Sequence, residues 1–277
     1  MSQRDLIAKT PSPITKATLV DGFTKLGLKK DDKIEVHGSI SSFGYIVNQG
    51  YDIIDALMTI ITEGVILMPA HTSEQSDPAD WENPPVPESW IDIIKKHRKP
   101  FDTRIFLPER IGRLPIIFLQ YPDIKRTLHP SMSLAVYNRT DDPDWLIHDL
   151  DDTKEISPLS KLRSEKGKIL FLGTDFDTCT SIHLSEHRSA YSKKKIEEHR
   201  VVTGNETIET VKTIIHEFDD TLIDPFTAIK AIYKKKYLGT DYFKQQQIGL
   251  SICTLIDAEK LYDVSYDFFV YYTKPTR

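Results

Sequence analysis

The sequence predicts an α/β fold built on a parallel sheet with crossover helices, and three observations support this class. The first third of the chain alternates helix, strand, loop, helix and strand. Val65–Pro69 is a continuous apolar run of the kind that is buried on both faces of a sheet, and residues 167–173 contain a second such run. Because parallel neighbours need crossover connections, this alternation is typical of a layered α/β protein.

The helices and strands of the first third have clear signals at their ends. Thr15 is a favourable N-cap for a helix over residues 16–26, whose apolar residues recur on one face, and Gly27 favours its end. A strand is predicted over residues 32–37 and a second amphipathic helix over residues 52–62. Further along, we expect strands in residues 127–137 and 201–212, and helices over 178–190, 225–236 and 250–259.

Residues 72–100 interrupt this regular pattern. The segment contains five prolines and two tryptophans, Trp81 and Trp90, among scattered acidic residues. A loop of this length inside a domain is usually functional or disordered. Because tryptophan side chains need packing partners, the composition favours an ordered, functional loop.

Composition excludes several classes of protein. The 277 residues include 36 Lys and Arg against 41 Asp and Glu, a net charge of −5, which disfavours nucleic acid as the main partner. Two cysteines are too few for a disulfide scaffold, so a reducing cytoplasm is the expected compartment. The N-terminal residues lack an apolar signal region, and the apolar stretches are too short to span a membrane. We therefore expect no membrane partner.

Residues 37–44, with the sequence His-Gly-Ser-Ile-Ser-Ser-Phe-Gly, form a small-residue loop between a predicted strand and a predicted helix. Small residues let backbone N–H groups approach an anion, and hydroxyl groups add further donors. This composition suits the pyrophosphate of a coenzyme, although it matches neither common glycine-rich phosphate motif. The alternative is a turn at the sheet edge that binds no ligand.

A predicted helix in the second half of the chain carries His183, Glu186 and His187. Spacings of three and four residues place these side chains on the same side of a helix. The helix follows a strand that ends at Gly173, and sites in open parallel sheets lie at the carboxyl ends of strands. The pattern His-x-x-Glu-His also matches the inverted zincin motif, with Glu217 as a candidate third ligand. The structural alternative is a helix with one buried histidine and two surface polar groups.

Two further residues carry chemically versatile side chains. His129 precedes a proline, which predicts an extended histidine in a turn that either belongs to a site or satisfies backbone carbonyl groups. Cys179 lies one helical turn before His183, but a nucleophilic cysteine needs an electropositive setting and a third group. Nothing else in the sequence specifies such a mechanism, so we expect Cys179 to be a small buried core residue.

Taken together, these segments resemble the aminoglycoside 3-N-acetyltransferase family. The resemblance covers roughly residues 15–270 and does not depend on a single motif. The matching segments, in family order, are residues 36–44, Gly50 with the helix to Gly64, 66–69, 76–78 with Trp81, 83–87 with Trp90, 101–102, Pro108 with 110–112, 126–130 with Ser133, 170–173 and 180–186.

The resemblance implies a three-layer α/β/α sandwich with a mainly parallel sheet. It implies one acetyltransferase domain over residues 1–277, with a Pro/Trp-rich acceptor loop at about 72–100. It also implies direct transfer in a ternary complex, in which an amine of an aminoglycoside-like polycation attacks the thioester carbonyl of acetyl-CoA. The acceptor is an ammonium ion at neutral pH, so it must first lose a proton to a general base.

The resemblance also implies roles for particular residues. His183 matches the family's catalytic histidine and is the expected base, and no metal is expected to take part. A carboxylate should orient the histidine and stabilise its charged form, and the candidates are Glu186, Glu217 and Asp175. The residues expected to bind the coenzyme are His37, Gly38, Ser39, Ser41, Ser42, Phe43, Gly44, Thr72, His129, Ser131 and Ser133. Those expected to bind the acceptor are Asp77, Asp80, Trp81 and Glu82.

Three departures from the family pattern bear on these expectations. Leu114-Pro115-Ile116 stands where the family often has an acidic residue, which weakens the inference about the acceptor. Arg126-Thr127 and Cys179-Thr180 replace the family's usual Arg-Ser and Asn-Thr. Two other functions stay open from the sequence: a zinc-dependent hydrolase using His183-x-x-Glu186-His187, and a non-catalytic coenzyme A-binding protein. The resemblance leaves the oligomeric state open.

Overall fold

The computed structural model describes residues 3–150, 156–189, 193–204, 206–217 and 224–273. The helices are α1 (Gln3–Lys9), α2 (Lys16–Leu26), α3 (Gly50–Ile60), α4 (Glu88–His97), α5 (Arg113–Phe118), α6 (Pro158–Ser164), α7 (Ser181–Arg188), α8 (Pro225–Tyr237) and α9 (Ala258–Thr273). The strands are β1 (Lys33–Gly38), β2 (Val65–Pro69), β3 (Ile124–Arg126), β4 (Leu134–Asn138), β5 (Lys168–Leu172), β6 (Lys193–Val202), β7 (Ile208–Glu217), β8 (Phe243–Ile248) and β9 (Ser251–Asp257).

The first third of the chain follows the predicted order of elements. Helix α2 has the predicted bounds: the Thr15 hydroxyl accepts a hydrogen bond from the backbone N–H of Thr18 at 3.2 Å. Gly27 ends the helix with a φ of 107°, a left-handed conformation that glycine adopts without strain. Strand β2 also matches its prediction, and all five of its residues are buried.

The sheet is mixed, and the prediction of a mainly parallel sheet is wrong. Seven strands lie in the order β3-β4-β2-β1-β5-β9-β8. Strand β1 is parallel to β2 and β5, whereas the other four neighbouring pairs are antiparallel. The parallel part is therefore confined to the three central strands. Short connections join β3 to β4 and β8 to β9, and connections this short can only link antiparallel neighbours.

Helices cover both faces of the sheet, which confirms the three-layer α/β/α class. On one face, apolar residues of α2, α3 and α5 pack against the sheet around Ile66 and Met68. On the other, α6, α7, α8 and α9 pack around Val65 and Leu67. Alternate residues of β2 thus enter opposite cores, which explains why the strand is apolar without alternation.

Two segments of the second half differ from their predictions. Residues 250–259, predicted as a helix, form β9 and the start of α9, because Ser251–Asp257 pairs with β5 on one side and β8 on the other. Residues 201–212, predicted as a strand, contribute instead to two strands, the end of β6 and the start of β7, which pair antiparallel as a separate two-stranded sheet. For β9, pairing with distant strands overrides the local preference.

The Pro/Trp-rich segment 72–100 contains α4 as well as two short 3₁₀ turns, Ser73–Gln75 and Pro78–Asp80. It is tied to the β6–β7 hairpin, because the N–H of Phe101 donates to the carbonyl of Arg200 at 2.7 Å. Trp81 packs beneath the Arg98 guanidinium, 5.4 Å from the ring centre, as its need for a partner predicted. Trp90, in contrast, is 55% exposed.

Among the described residues, every helix is too short or too polar to cross a lipid bilayer.

Candidate active site

A cavity of about 510 Å³ lies at the carboxyl ends of the three parallel strands. His37 comes from the end of β1, His71 follows β2, and Thr174 follows β5. His183 reaches the same cavity from α7. The carboxyl ends of parallel strands meet at one edge of a sheet, which is where the sequence predicted the site. The lining residues also include Val36, Gly38, Ser39, Pro69, Arg110, Ile111, Gly112, Leu114, Pro115, Asp177, Thr178, Cys179, Thr180 and Phe226.

A histidine–carboxylate pair stands on the wall of this cavity. His183 Nδ1 and Glu186 Oε2 lie 2.8 Å apart, joined across one turn of α7. The Glu186 side chain is 2% exposed and that of His183 is 24% exposed. A carboxylate on Nδ1 fixes the proton there, which makes Nε2 the nitrogen that can accept another proton. The Phe226 ring meets the imidazole edge to face at 5.3 Å and limits its rotation.

The structure distinguishes between the three carboxylates predicted to orient His183. Glu186 contacts the imidazole directly. Asp175 instead forms an ion pair with Lys230 of α8 and accepts a hydrogen bond from the backbone N–H of Phe176. Glu217 ends β7, and its side chain lies outside the described part of the structure. Of the candidates described, only Glu186 contacts the histidine.

The residues of the His-x-x-Glu-His pattern do come together in space. One ligand atom each from His183, Glu186 and His187 lies within 4.8 Å of the others. The imidazole rings of the two histidines stack at 5.9 Å. This grouping follows from the helical spacing alone, which places all three on one side of α7.

The loop after β1 contains a short 3₁₀ turn, and two of its backbone amides are hydrogen-bonded within the fold. The Ser39 N–H donates to the carbonyl of Leu172 at 2.9 Å, and the Ser42 N–H donates to the carbonyl of Ser39 at 3.2 Å. These two amides therefore do not point at a ligand. The Ser42 hydroxyl also turns away from the cavity, to Ser251 at 3.0 Å. The hydroxyl groups of Ser39 and Ser41, which lie 3.4 Å apart, are further donors on this turn.

A second cavity, also of about 510 Å³, lies beside the first along this turn. It is lined by Ser39, Ser41 and Gly44, and it shares Ser39 and Gly112 with the cavity that contains His183. Arg113 lines its wall. The two cavities are therefore neighbours, one at the exposed turn and the other at the histidine. An added Cβ at position 38 would lie 2.8 Å from Leu114 Cδ2, so the Leu114 side chain would have to move to accommodate it.

Several residues predicted to bind the coenzyme are buried parts of the framework. Phe43 is completely buried in the core between the sheet and α2–α3, so only its backbone is available to a ligand. An aromatic side chain next to glycines fills the space beneath the turn. Thr72 is also buried: its hydroxyl donates to the carbonyl of Pro130 at 2.6 Å.

The His-Pro turn is buried in the same way. The His129 side chain is fully buried, and its Nδ1 accepts a hydrogen bond from the N–H of Met132 at 3.0 Å. The Ser133 hydroxyl donates to Ala70 at 2.8 Å, and Ser131 is 7% exposed. These residues join the end of β2 to the start of β4 and support the cavity wall from behind. The contact of His129 is thus to a backbone N–H rather than to a backbone carbonyl group, and its role in the site stays a prediction.

The acids predicted to bind the acceptor are paired within the protein. Asp77 Oδ2 lies 2.7 Å from Lys95 Nζ, and Asp80 forms an ion pair with Lys195 of β6. The Trp81 indole donates to the Ser76 hydroxyl at 3.1 Å. These contacts tie the loop to α4 and the hairpin, which the sequence could not reveal because the partners are distant in the chain. Glu82 is exposed.

A pocket of about 510 Å³ between this loop and β6 holds two buried titratable groups. Burial raises the pKa of Glu197 to about 7, and burial, followed by the charge of His129, lowers the pKa of His199 to about 4. The Glu197 carboxylate accepts a hydrogen bond from the backbone N–H of Asp77 at 3.2 Å. Glu197 therefore connects the hairpin to the acidic loop.

Three charged residues of the cavities were not singled out from the sequence. Arg110 and Asp177 line the cavity of His183, and Arg113 lines the second cavity. Arg110 had entered only as part of the family resemblance, and its guanidinium donates to the carbonyl of Asn83 at 2.6 Å. Asp177 follows the carboxyl end of β5, and this position could have identified it from the sequence as a candidate site residue.

Cys179 is fully buried, as expected for a core residue. Burial, followed by the charge of Glu35, raises the pKa of its thiol well above the ordinary value. A thiol in this environment is not a nucleophile at neutral pH.

Comparisons with known proteins agree with this geometry. A family model described as aminoglycoside 3-N-acetyltransferase matches residues 36–269. The SPbeta prophage-derived aminoglycoside N(3')-acetyltransferase-like protein YokD of Bacillus subtilis (strain 168) is 36% identical over 193 residues, covering 69% of this chain and 71% of that protein. Aminoglycoside N(3)-acetyltransferase IX of Micromonospora chalcea is 24% identical over 278 residues, covering 95% and 96% of the two chains.

A solved structure of AAC-IIIb in a binary complex with CoASH is also similar. It matches with a TM-score of 0.77 at 27% identity and covers 96% of this chain and 100% of that chain. The comparisons thus favour an acyltransferase over the zinc-dependent hydrolase that the His-x-x-Glu-His pattern left open. The chain belongs to the aminoglycoside 3-N-acetyltransferase family, whose co-substrate is acetyl-CoA.

Proposed function

We propose that this protein transfers the acetyl group of acetyl-CoA to an amine of an aminoglycoside-like polycation, in a ternary complex with His183 as the general base. The observation that carries the proposal is the 2.8 Å contact between His183 Nδ1 and Glu186 Oε2 on the wall of a cavity at the sheet edge. Relatives that carry the name aminoglycoside N(3)-acetyltransferase support the acceptor class.

In this mechanism His183 Nε2 removes a proton from the acceptor ammonium group. The neutral amine then attacks the thioester carbonyl carbon, forming a C–N bond and a tetrahedral oxyanion. When that intermediate collapses, the C–S bond breaks and the sulfur leaves with the proton held by His183. The nitrogen releases its remaining extra proton to solvent, which leaves a neutral amide. Glu186 stabilises the imidazolium that exists between the two proton transfers. A buried carboxylate is effective here because solvent screens its charge only weakly.

The coenzyme is best accommodated along the two neighbouring cavities. Its thioester end would lie near His183, and its phosphates would lie toward the exposed turn, where Ser39 and Ser41 offer hydroxyl groups. Arg110 and Arg113 supply positive charge on the two cavity walls. Guanidinium groups bind phosphate oxygens through paired hydrogen bonds, so both arginines suit this role.

The acceptor is expected to enter from the side of segment 72–100. Asn83 of this segment accepts a hydrogen bond from Arg110, which places the segment at the border of the His183 cavity. Asp177, on the cavity wall, is the carboxylate best placed to meet an acceptor ammonium group. Leu114 lies against Gly38 on the wall of this cavity. The family often has an acidic residue in the segment that Leu114 begins. We therefore expect this pocket to accept fewer kinds of amine than the pockets of typical relatives accept.

The test is release of free thiol from acetyl-CoA with a panel of 2-deoxystreptamine aminoglycosides. We expect acceptor-dependent release by the wild type and a loss of at least about 10² in His183→Ala, because general base catalysis contributes roughly 10²–10⁴. His187→Ala, one turn further along α7, is the matched control and should retain turnover within about tenfold.

Acetyl-CoA affinity, measured by calorimetry, separates the parts of the proposal. It should stay within a few-fold of the wild-type value in His183→Ala. Near-normal turnover by this variant would remove His183 as the base. Acetyl-CoA binding without thiol release for any compound in the panel would overturn the acceptor class and favour the non-catalytic coenzyme-binding alternative.

A further inference from the structure

Strand β1 places a glutamate in the middle of the sheet. Glu35 is completely buried, and its backbone neighbours in the sheet are Leu67 of β2 and Ile169 of β5. Both of these residues belong to the apolar core beneath α7. Burying a carboxylate among apolar side chains is unfavourable unless other groups compensate its charge and satisfy its oxygens. The position therefore calls for partners of matching chemistry.

Only one oxygen of this carboxylate has a hydrogen bond among the described residues. The Ser181 hydroxyl donates to Oε2. The other oxygen, Oε1, lies 3.0 Å from Nε2 of His37, but the orientation of the two groups is not that of a hydrogen bond. His37 is two residues along β1, on the same face, and is 6% exposed. Two buried polar atoms thus face each other without a hydrogen bond.

A sulfur atom completes the group. Ligand atoms of Glu35, His37 and Cys179 all lie within 4.8 Å of one another, and all three residues are buried. Three ligands around a tetrahedral Zn²⁺, at about 2.0–2.3 Å from the metal, are separated from one another by roughly 3.5 Å. Glu35 and His37 already lie closer than this, at 3.0 Å, so a zinc ion would require movements of no more than roughly 1 Å by the three side chains.

The donor set selects the class of cation. Thiolate, imidazole and carboxylate together suit Zn²⁺ and its relatives, whereas Mg²⁺ and Ca²⁺ prefer oxygen ligands only. His37 and Cys179 line the cavity that contains His183, which gives an ion a route from solvent. We propose that Glu35, His37 and Cys179 form a binding site for Zn²⁺. The site borders the cavity proposed for acetyl transfer, and the metal supplies no step of that reaction.

Cobalt is a suitable probe because Co²⁺ accepts the same ligands and absorbs light. Titration of the full-length wild-type protein with Co²⁺ should give a thiolate-to-cobalt charge-transfer band that saturates at one equivalent. Added Zn²⁺ should abolish the band by displacement. Cys179→Ser should lose the band, whereas Cys253→Ser, at the other buried cysteine, should keep it. Thermal melting would verify that each variant is folded.

A second variant keeps the test decisive if Cys179→Ser does not fold. Glu35→Gln preserves the shape of the side chain and should raise the dissociation constant for Co²⁺ by more than about tenfold. The proposal would be overturned by a wild-type protein that gives no sulfur band, or by a band that persists in Cys179→Ser. Cobalt binding without a sulfur band, lost in His187→Asn, would also overturn it by assigning the metal to the cluster of α7.

Discussion

Glu186→Gln tests the proposed mechanism most directly. The substitution keeps the size of the side chain but removes the negative charge from the group that lies 2.8 Å from His183 Nδ1. An amide stabilises the imidazolium less than a carboxylate does. It can also donate a hydrogen bond to Nδ1, which would leave the proton on Nε2 and prevent that nitrogen from acting as the base. The expected result is a fall in kcat.

The size of this fall follows from the burial of the pair. Glu186 is 2% exposed and His183 is 24% exposed, so solvent screening is incomplete. Two unit charges about 4 Å apart interact by about 4 kcal/mol at an effective dielectric constant of about 20. A charged hydrogen bond measured by mutation contributes about 1.5–3 kcal/mol. A loss of about 2–4 kcal/mol corresponds to a decrease in kcat of roughly 30- to 1000-fold.

The assay is steady-state thiol release with the best acceptor of the panel. Asp175→Asn is the matched control, because Asp175 was an equally good candidate from the sequence but pairs with Lys230 in the structure. Its kcat should stay within about threefold of wild type. A Glu186→Gln enzyme with wild-type kcat, or an Asp175→Asn enzyme with the larger loss, would refute the assignment of Glu186.

Three further substitutions test the structure. Glu197→Gln removes a carboxyl group whose pKa is raised to about 7 by burial, so wild type loses stability as this group ionises and the variant does not. The variant's unfolding free energy should therefore exceed that of wild type by an amount that grows as pH rises from about 4.5 to about 7 and reaches about 1–3 kcal/mol. A pH-independent difference in urea unfolding would contradict this. Gly173→Ala should lower the free energy of unfolding by about 2–4 kcal/mol, because the φ of Gly173 is 67° and the new Cβ would lie 1.8 Å from Ser42 Oγ. A decrease below about 1 kcal/mol would contradict this backbone conformation. Phe43→Leu should lower the free energy of unfolding by about 1–2 kcal/mol and leave the KM for acetyl-CoA within twofold of wild type. A large rise in KM with unchanged stability would instead indicate that the Phe43 side chain contacts the coenzyme.

Features carried by neighbouring residues could be predicted from the sequence. The bounds of α2 follow from Thr15 and Gly27, because a cap needs only the residues at the helix end. The burial of β2 on both faces follows from its unbroken apolar composition. A spacing of three residues on one helix places Glu186 beside His183, which made it one of the three candidate carboxylates. Each of these signals lies within one turn or one strand.

Features that depend on distant segments could not be predicted in this way. The direction of β9 is set by pairing with β5 and β8, and its apolar sequence fits a helix equally well. From the sequence, Asp77 and Asp80 were predicted to bind a ligand, because their lysine partners, Lys95 and Lys195, lie in other elements and could not be identified.

The clearest contrast is between Glu186 and Glu35. The sequence by itself determined the α/β class, predicted a site at the strand ends and placed Glu186 on the same side of a helix as His183, because helical and strand periodicities fix which near neighbours share a face. Only the tertiary structure decided that Glu35 and His37 of β1 would meet Cys179, nearly 150 residues away along the chain. That meeting depends on how the start of α7 packs over the central strands. Such packing reflects the joint burial of many side chains, and no local pattern encodes it.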